Sequence, residues 1–435
     1  MTAGLKPPQG RRISIRSLDP IRLSRAKPGF ATRRVPLSAM HTLVDGMVRP
    51  RTGDLVLASV TRLGQHRKIE QPNGRRAALH VGDEIVVAYA DRYAPDQFES
   101  HVPADLRRTQ LVASGGIASE MLTRSMDVRN ATDITPIGLV GDPRGRPLNV
   151  ADFALRPAPR TEVRPPTIAV IGTSMNSGKT TTIHFLVHGL SKAGIRAGVT
   201  KVTGTGSGGD YWVMLDAGAH VMLDFTDVGF ASTYRQPMVS VERSFVELTD
   251  HLTAAGSAVR LIEIADGIYQ RETSRLIESD LFRSTVDVVL FAAADAMGAV
   301  AGVEYLRSRG LPVAAVSGRI TRSPLATREA QAVLGLPVLD LAQLTDAETV
   351  VPLLGLHPLP LAAPTAESCR APAVRCEAAK QTDPADTDPA DTDDHSDADD
   401  RASTHPTDSD PRSESDSESD VHPEDHALMR LADRL

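Results

Sequence analysis

Cysteine is almost missing from this chain: two in 435 residues, Cys369 and Cys376, both in a Pro/Ala-rich stretch. Their spacing builds neither a disulfide framework nor a metal site, which points to a reducing cytoplasm. Aromatics make up only 4% of the residues, yet 41% hydrophobic content is enough for packed cores. No apolar run approaches the roughly 18 residues of a spanning helix, so no membrane partner is expected. The arginine-bearing N-terminus lacks the continuous apolar stretch of a secretory signal. Its basic residues have no interleaved aromatics, so nucleic acid is not an expected partner.

The formal charge of −7 hides an asymmetry. From Glu377 onward there are 19 acidic and 5 basic residues, leaving 36 and 43 before it, so a mildly basic body precedes a strongly acidic tail. Residues 1–35 read as a basic flexible arm. Residues 36–155 read as a β-rich domain, with strands at Asp54–Val60 and Glu84–Tyr89 and a hairpin turn at Pro72, Asn73 and Gly74. Short strands at this spacing predict a small barrel or sandwich. Asp91–Gln97 is a polar loop suited to ligand contact or to a capping turn. Val112–Ile117 predicts a strand that meets a glycine pair, with a helical stretch following to Ser125. Residues 156–166 form a Pro-rich linker. Residues 358–435 cannot bury enough apolar surface to fold and predict a disordered acidic tail, with a short helix from His426.

Residues 167–357 alternate strands and helices, which predicts an α/β fold on a parallel sheet. The expected strands are Ile168–Ile171, Arg196–Val202, Val221–Phe225, Arg260–Ile264, Val286–Phe291, Val313–Val316 and Val338–Leu341. The most informative segment opens this region. An apolar strand runs into Gly172, Thr173, Ser174, Met175, Asn176, Ser177, Gly178, Lys179, Thr180 and Thr181, then into an apolar-periodic helix to Lys192. That is the strand–loop–helix context of a phosphate loop. Backbone N–H groups and the helix N-terminus surround a polyphosphate, Lys179 bridges its outer phosphates, and Thr180 or Thr181 ligates Mg²⁺. One position departs from G-x-x-x-x-G-K-[ST]: Thr173 stands where the first glycine belongs, and Gly172 comes one place early.

Nucleotide sites in such sheets form at the carboxyl ends of strands. Lys201 ends one strand and precedes the glycine- and hydroxyl-rich loop 202–210, an arrangement suited to an anionic small-molecule substrate beside the γ-phosphate. Glu263 and Asp266 end another, where a carboxylate holds Mg²⁺ opposite the P-loop threonine; either one fits. Arg271 and Glu272 read as an exposed ion pair, and Asp224 and Asp227 as further carboxylates at a strand end. After Val313–Val316 no Asn/Thr-Lys-x-Asp element reads guanine, so the nucleotide is ATP, with GTP open.

The loop from Gly172 to Thr180, Lys201 followed by Val202, Thr203 and Gly204, and the strand end Ile262–Gly267 together resemble dethiobiotin synthetase and its relatives. The resemblance covers roughly 167–345. It implies the dimerising (SIMIBI) class of P-loop NTPases, which also holds cobyrinic acid amidases, a molybdopterin-cofactor GTP-binding protein and metallochaperone GTPases. It therefore implies a homodimer and Mg²⁺ on Glu263, while the residues themselves offer Lys179, Lys201, Glu263 and Asp266 as catalytic candidates in activating or phosphorylating a small anion. The alternative within the class is a nucleotide-dependent switch or chaperone. Ile264–Gly267 departs from the usual Gly-Ala-Gly-Gly, and the β-rich half and the tail have no counterpart in dethiobiotin synthetase.

Overall fold

The computed structural model describes residues 12–161 and 163–356, within one compact unit. The expected acidic tail, the terminal helix and both cysteines lie outside these residues.

The first body is a ten-stranded sheet. Strand Thr109–Ala113 pairs with both Ile117–Arg124 and Thr132–Gly141. Through Leu55–Arg62 and Glu84–Tyr89 this closes a circuit of five strands. The hairpin Lys68–Glu70 with Arg76–Ala78 turns through Gly74 at φ +85°, a left-handed conformation that favours glycine. Two readings are corrected here. Residues 12–35 are not an arm: Ser14–Ser17 pairs with Thr42–Asp45, Asp19 caps the helix Pro20–Arg25, and Leu18, Leu23 and Phe30 are buried. The apolar residues spaced among the arginines anchor this segment. Likewise Ile117–Arg124 is a strand rather than a helix, because ladders to Phe98–His101 and Thr109–Ala113 outweigh its weak local preference.

The second body is an α/β layer of six parallel strands: β1 (Thr167–Gly172), β2 (Ala197–Lys201), β3 (Val221–Asp224), β4 (Val259–Glu263), β5 (Val288–Ala292) and β6 (Val313–Ser317). Their spatial order is β3-β2-β4-β1-β5-β6. Alternate residues of β1 enter opposite cores, Ile168 and Val170 on one face, Ala169 and Ile171 on the other. Burial on both faces explains the continuous apolar runs of these strands. Two helices matter for the site: α1 (Lys179–Lys192) and α2 (Gly208–Asp216). The seventh expected strand does not form. Val338 makes a single bridge to Val316, and Asp340 then caps the helix Leu341–Thr345. A carboxylate with Gln343 three residues on is a capping box that competes with strand extension.

Candidate functional site

β1 lies centrally, and its carboxyl end delivers the loop 173–178 to the N-terminus of α1. The loop turns through Asn176 at φ +61° and Gly178 at φ +106°. A Cβ on Gly178 would lie 2.8 Å from the Cα of Gly318, so the segment after β6 is docked directly on the loop. The amide of Arg319 donates to the Ser177 carbonyl at 3.0 Å.

Lys179 is buried, and its ammonium donates to the Ser174 carbonyl across the loop at 2.8 Å. Burial pulls its pKa below the ordinary lysine value, with Glu263 and Asp266 opposing that shift. The Thr180 hydroxyl donates to Glu263 Oε1 at 3.0 Å. These are two oxygens of the kind a Mg²⁺ ion takes, adjacent at the end of β4, and Mg²⁺ commonly uses one or two protein carboxylates plus substrate phosphates. Among the described residues no group of three or more His, Cys, Asp or Glu gathers as a self-sufficient metal cage.

Lys201 is paired with Asp210 on α2 and lies 3.7 Å from Glu263 Oε1. Burial opposes its charge, but the two carboxylates outweigh that and raise its pKa. Asp266 shifts upward too, for the opposite reason. Burial lifts its carboxyl above the usual range, against the pull of Lys179, Lys201 and Arg92.

These groups line one cleft of about 430 Å³. Met175, Asn176, Gly178, Lys179, Thr180, Thr181, Lys201, Glu263 and Asp266 all face it. Gly172, Thr173, Ser174 and Ser177 do not line it. They form the loop's base: a Cβ on Gly172 would sit 2.8 Å from Lys179 Cγ, and one on Gly267 would sit 2.9 Å from Ser174 Cα. Three lining residues escape the motif reading, Asp210, Arg319 and Arg322. The two arginines follow a strand's carboxyl end, which is the only signal they carry in the sequence.

The glycine-rich loop after Lys201 is not an open oxyanion cradle. The Gly204 amide donates to the Thr233 hydroxyl at 2.8 Å, Gly206 to the Ala231 carbonyl at 3.0 Å, and Gly208 to Glu70 Oε2 of the first body at 2.8 Å. Its glycines serve close packing, since a Cβ on Gly206 would lie 3.2 Å from Ala31 Cβ. Asp224 and Asp227 are not metal ligands either. They hold Arg33 at 3.1 and 2.6 Å. Glu272 is buried and bonded to Gln270, not to Arg271.

The first body also reaches the phosphate loop. Asp96 accepts from the Asn176 side-chain amide at 2.5 Å. The strap around it is tied on both sides, by Asp91 to Arg235 at 3.2 Å and by Glu99 to the Tyr234 hydroxyl at 3.1 Å. The rings of Tyr93 and Tyr234 lie 5.5 Å apart.

No family model and no curated relative matches the chain. Solved structures similar to it include the signal recognition particle receptor FtsY of Elizabethkingia anophelis, at 16% identity over 36% of this chain and 50% of that one, TM-score 0.26. Another is the 54 kDa signal recognition particle protein of Aeropyrum pernix K1 in complex with GDP, at 19% identity over 45% and 47%, TM-score 0.29. The kinase domain of the Escherichia coli tyrosine kinase ETK matches at 10% identity over 36% and 68%, TM-score 0.27. The chain thus spans about half the length of the two signal recognition particle structures. Scores this low leave the case to the geometry of the site, and the dethiobiotin synthetase resemblance rests on its three motifs alone.

Proposed function

We propose that the protein is a Mg²⁺-dependent P-loop NTPase, taking ATP or GTP, whose nucleotide state is read by the β-rich body. The observation that carries this is the Thr180 hydroxyl on the Glu263 carboxylate beside the buried ammonium of Lys179. A Mg²⁺ ion would be held by Thr180 and Glu263, with Asp266 behind them, and would neutralise phosphate charge. Lys179 would exchange the Ser174 carbonyl for phosphate oxygens.

The contact of Asp96 with Asn176 supports a nucleotide-driven switch over the activation of a small metabolite. That second reading needs Lys201 and the glycine loop free for an anionic substrate. Lys201 is tied to Asp210 and Glu263, and the loop's amides have internal partners. The test is equilibrium binding of a fluorescent ATP or GTP analogue with and without Mg²⁺. Wild type should bind only with the ion, and Lys179→Ala should weaken binding by about 100-fold, the loss of a buried charge contact of roughly 3 kcal/mol. Equal affinity in the variant, or no uptake of either nucleotide, overturns the proposal.

A further inference from the structure

Arg319 and Arg322 stand at the end of the cleft away from Lys201. They occupy one 3₁₀ turn, Arg319–Arg322, in which side chains at i and i+3 eclipse. Both line the cleft, and among the described residues neither guanidinium has a carboxylate or other side-chain partner. Two eclipsed like charges repel unless an anion lies between them. The turn is fixed in place by the bond from the Arg319 amide to the Ser177 carbonyl. A small lobe of about 70 Å³ continues the cleft between this turn and Thr181 and Thr182 of α1.

The three carboxylates of the cleft are all at the other end. Asp210 is held by Lys201, Glu263 by Thr180 and Lys201, and Asp266 faces Lys179, Lys201 and Arg92. A side-chain reader of guanine needs an acceptor for the ring's N–H groups, and guanidinium groups only donate. Their planar forks match phosphate oxygens. Resting on the nucleotide reading above, we infer that the site selects the phosphate chain rather than the base. Lys179, Arg319 and Arg322 form a run of cations for a polyphosphate anion, whether nucleoside triphosphate of any base or inorganic tripolyphosphate.

The experiment is competition against a bound fluorescent ATP analogue in Mg²⁺, using ATP, GTP, CTP and inorganic tripolyphosphate. The three nucleotides should agree within about threefold, and tripolyphosphate should fall within about tenfold of ATP. The double variant Arg319→Ala, Arg322→Ala should weaken all four by a common factor of about tenfold or more and flatten their salt dependence. Both arginines are exposed, so its melting temperature should match wild type. A preference above about tenfold for one base, failure of tripolyphosphate to compete, or unchanged affinities in the double variant overturns this inference alone. Failure of the ATP analogue itself to bind removes the nucleotide reading and this inference together.

Discussion

Burial of the His66 imidazole lowers its pKa to about 4, with the Arg92 guanidinium pushing the same way. Its Nε2 meets the Val112 carbonyl at 2.8 Å, and its ring stands edge-on to Phe98 at 5.8 Å. The unfolded imidazole protonates near 6.5, so between that value and about 4 the unfolded state takes up a proton that the folded state does not. This contribution to stability is therefore intact above about pH 6.5 and lost as pH falls toward 4, by at most about 3 kcal/mol. His66→Gln should lose less melting temperature than wild type between pH 7 and pH 4.5; parallel curves would assign the acid sensitivity to other groups. At this scale the sequence exposes what lies in one motif. Lys179 and Thr180 are read from their neighbours, and Glu263 from its place at a strand end. Asp210 and Arg319 come to the cleft, and Asp96 to the Asn176 side chain beside it, from three separate segments, and their closeness is a product of folding that no local spacing encodes.

α2 shows how an element of one body depends on the other. Its first amide, Gly208, donates to Glu70 Oε2 at 2.8 Å, and Ser207 Oγ to the same oxygen at 3.3 Å. A carboxylate at a helix N-terminus satisfies unpaired donors and complements the helix dipole. Glu70→Ala should cost about 1–2 kcal/mol in urea unfolding. Because α2 carries Asp210, which holds Lys201, the same variant should also change nucleotide hydrolysis more than binding. A stability loss with hydrolysis unchanged would limit Glu70 to a capping role. The element scale also shows where pattern reading fails. The six sheet strands are continuous apolar runs because both faces are buried, and they are visible for that reason. Ile117–Arg124 has a mixed pattern, with its first three residues buried and the rest largely exposed, so its strand state comes from its partners. Leu341 follows an apolar pair, but the cap at Asp340 decides for helix.

Across the whole molecule the two bodies meet through charge as well as packing. Arg33 is held above the ordinary arginine value: burial opposes its charge, and Asp224 and Asp227 outweigh it. That seam lies at the edge of the parallel sheet, on β3. The strap 91–99 makes another seam, at the phosphate loop itself. Asp96 there holds Asn176 in place by accepting from its side chain. Phosphates bound by the loop would bring negative charge beside the Asp96 carboxylate, with repulsion that grows as solvent is displaced. The Asn176 amide would then turn to the stronger acceptor, leaving the strap tied only through Asp91 and Glu99. Hydrogen exchange should therefore speed up in residues 94–98 when Mg²⁺ and a non-hydrolysable triphosphate are added. In Asp96→Ala the contact is already gone, so the nucleotide should leave exchange there unchanged, and its affinity should rise severalfold as a nearby like charge is removed. If exchange in wild-type residues 94–98 is the same with and without nucleotide, the strap transmits nothing, and the β-rich body is a neighbour of the site rather than its reader.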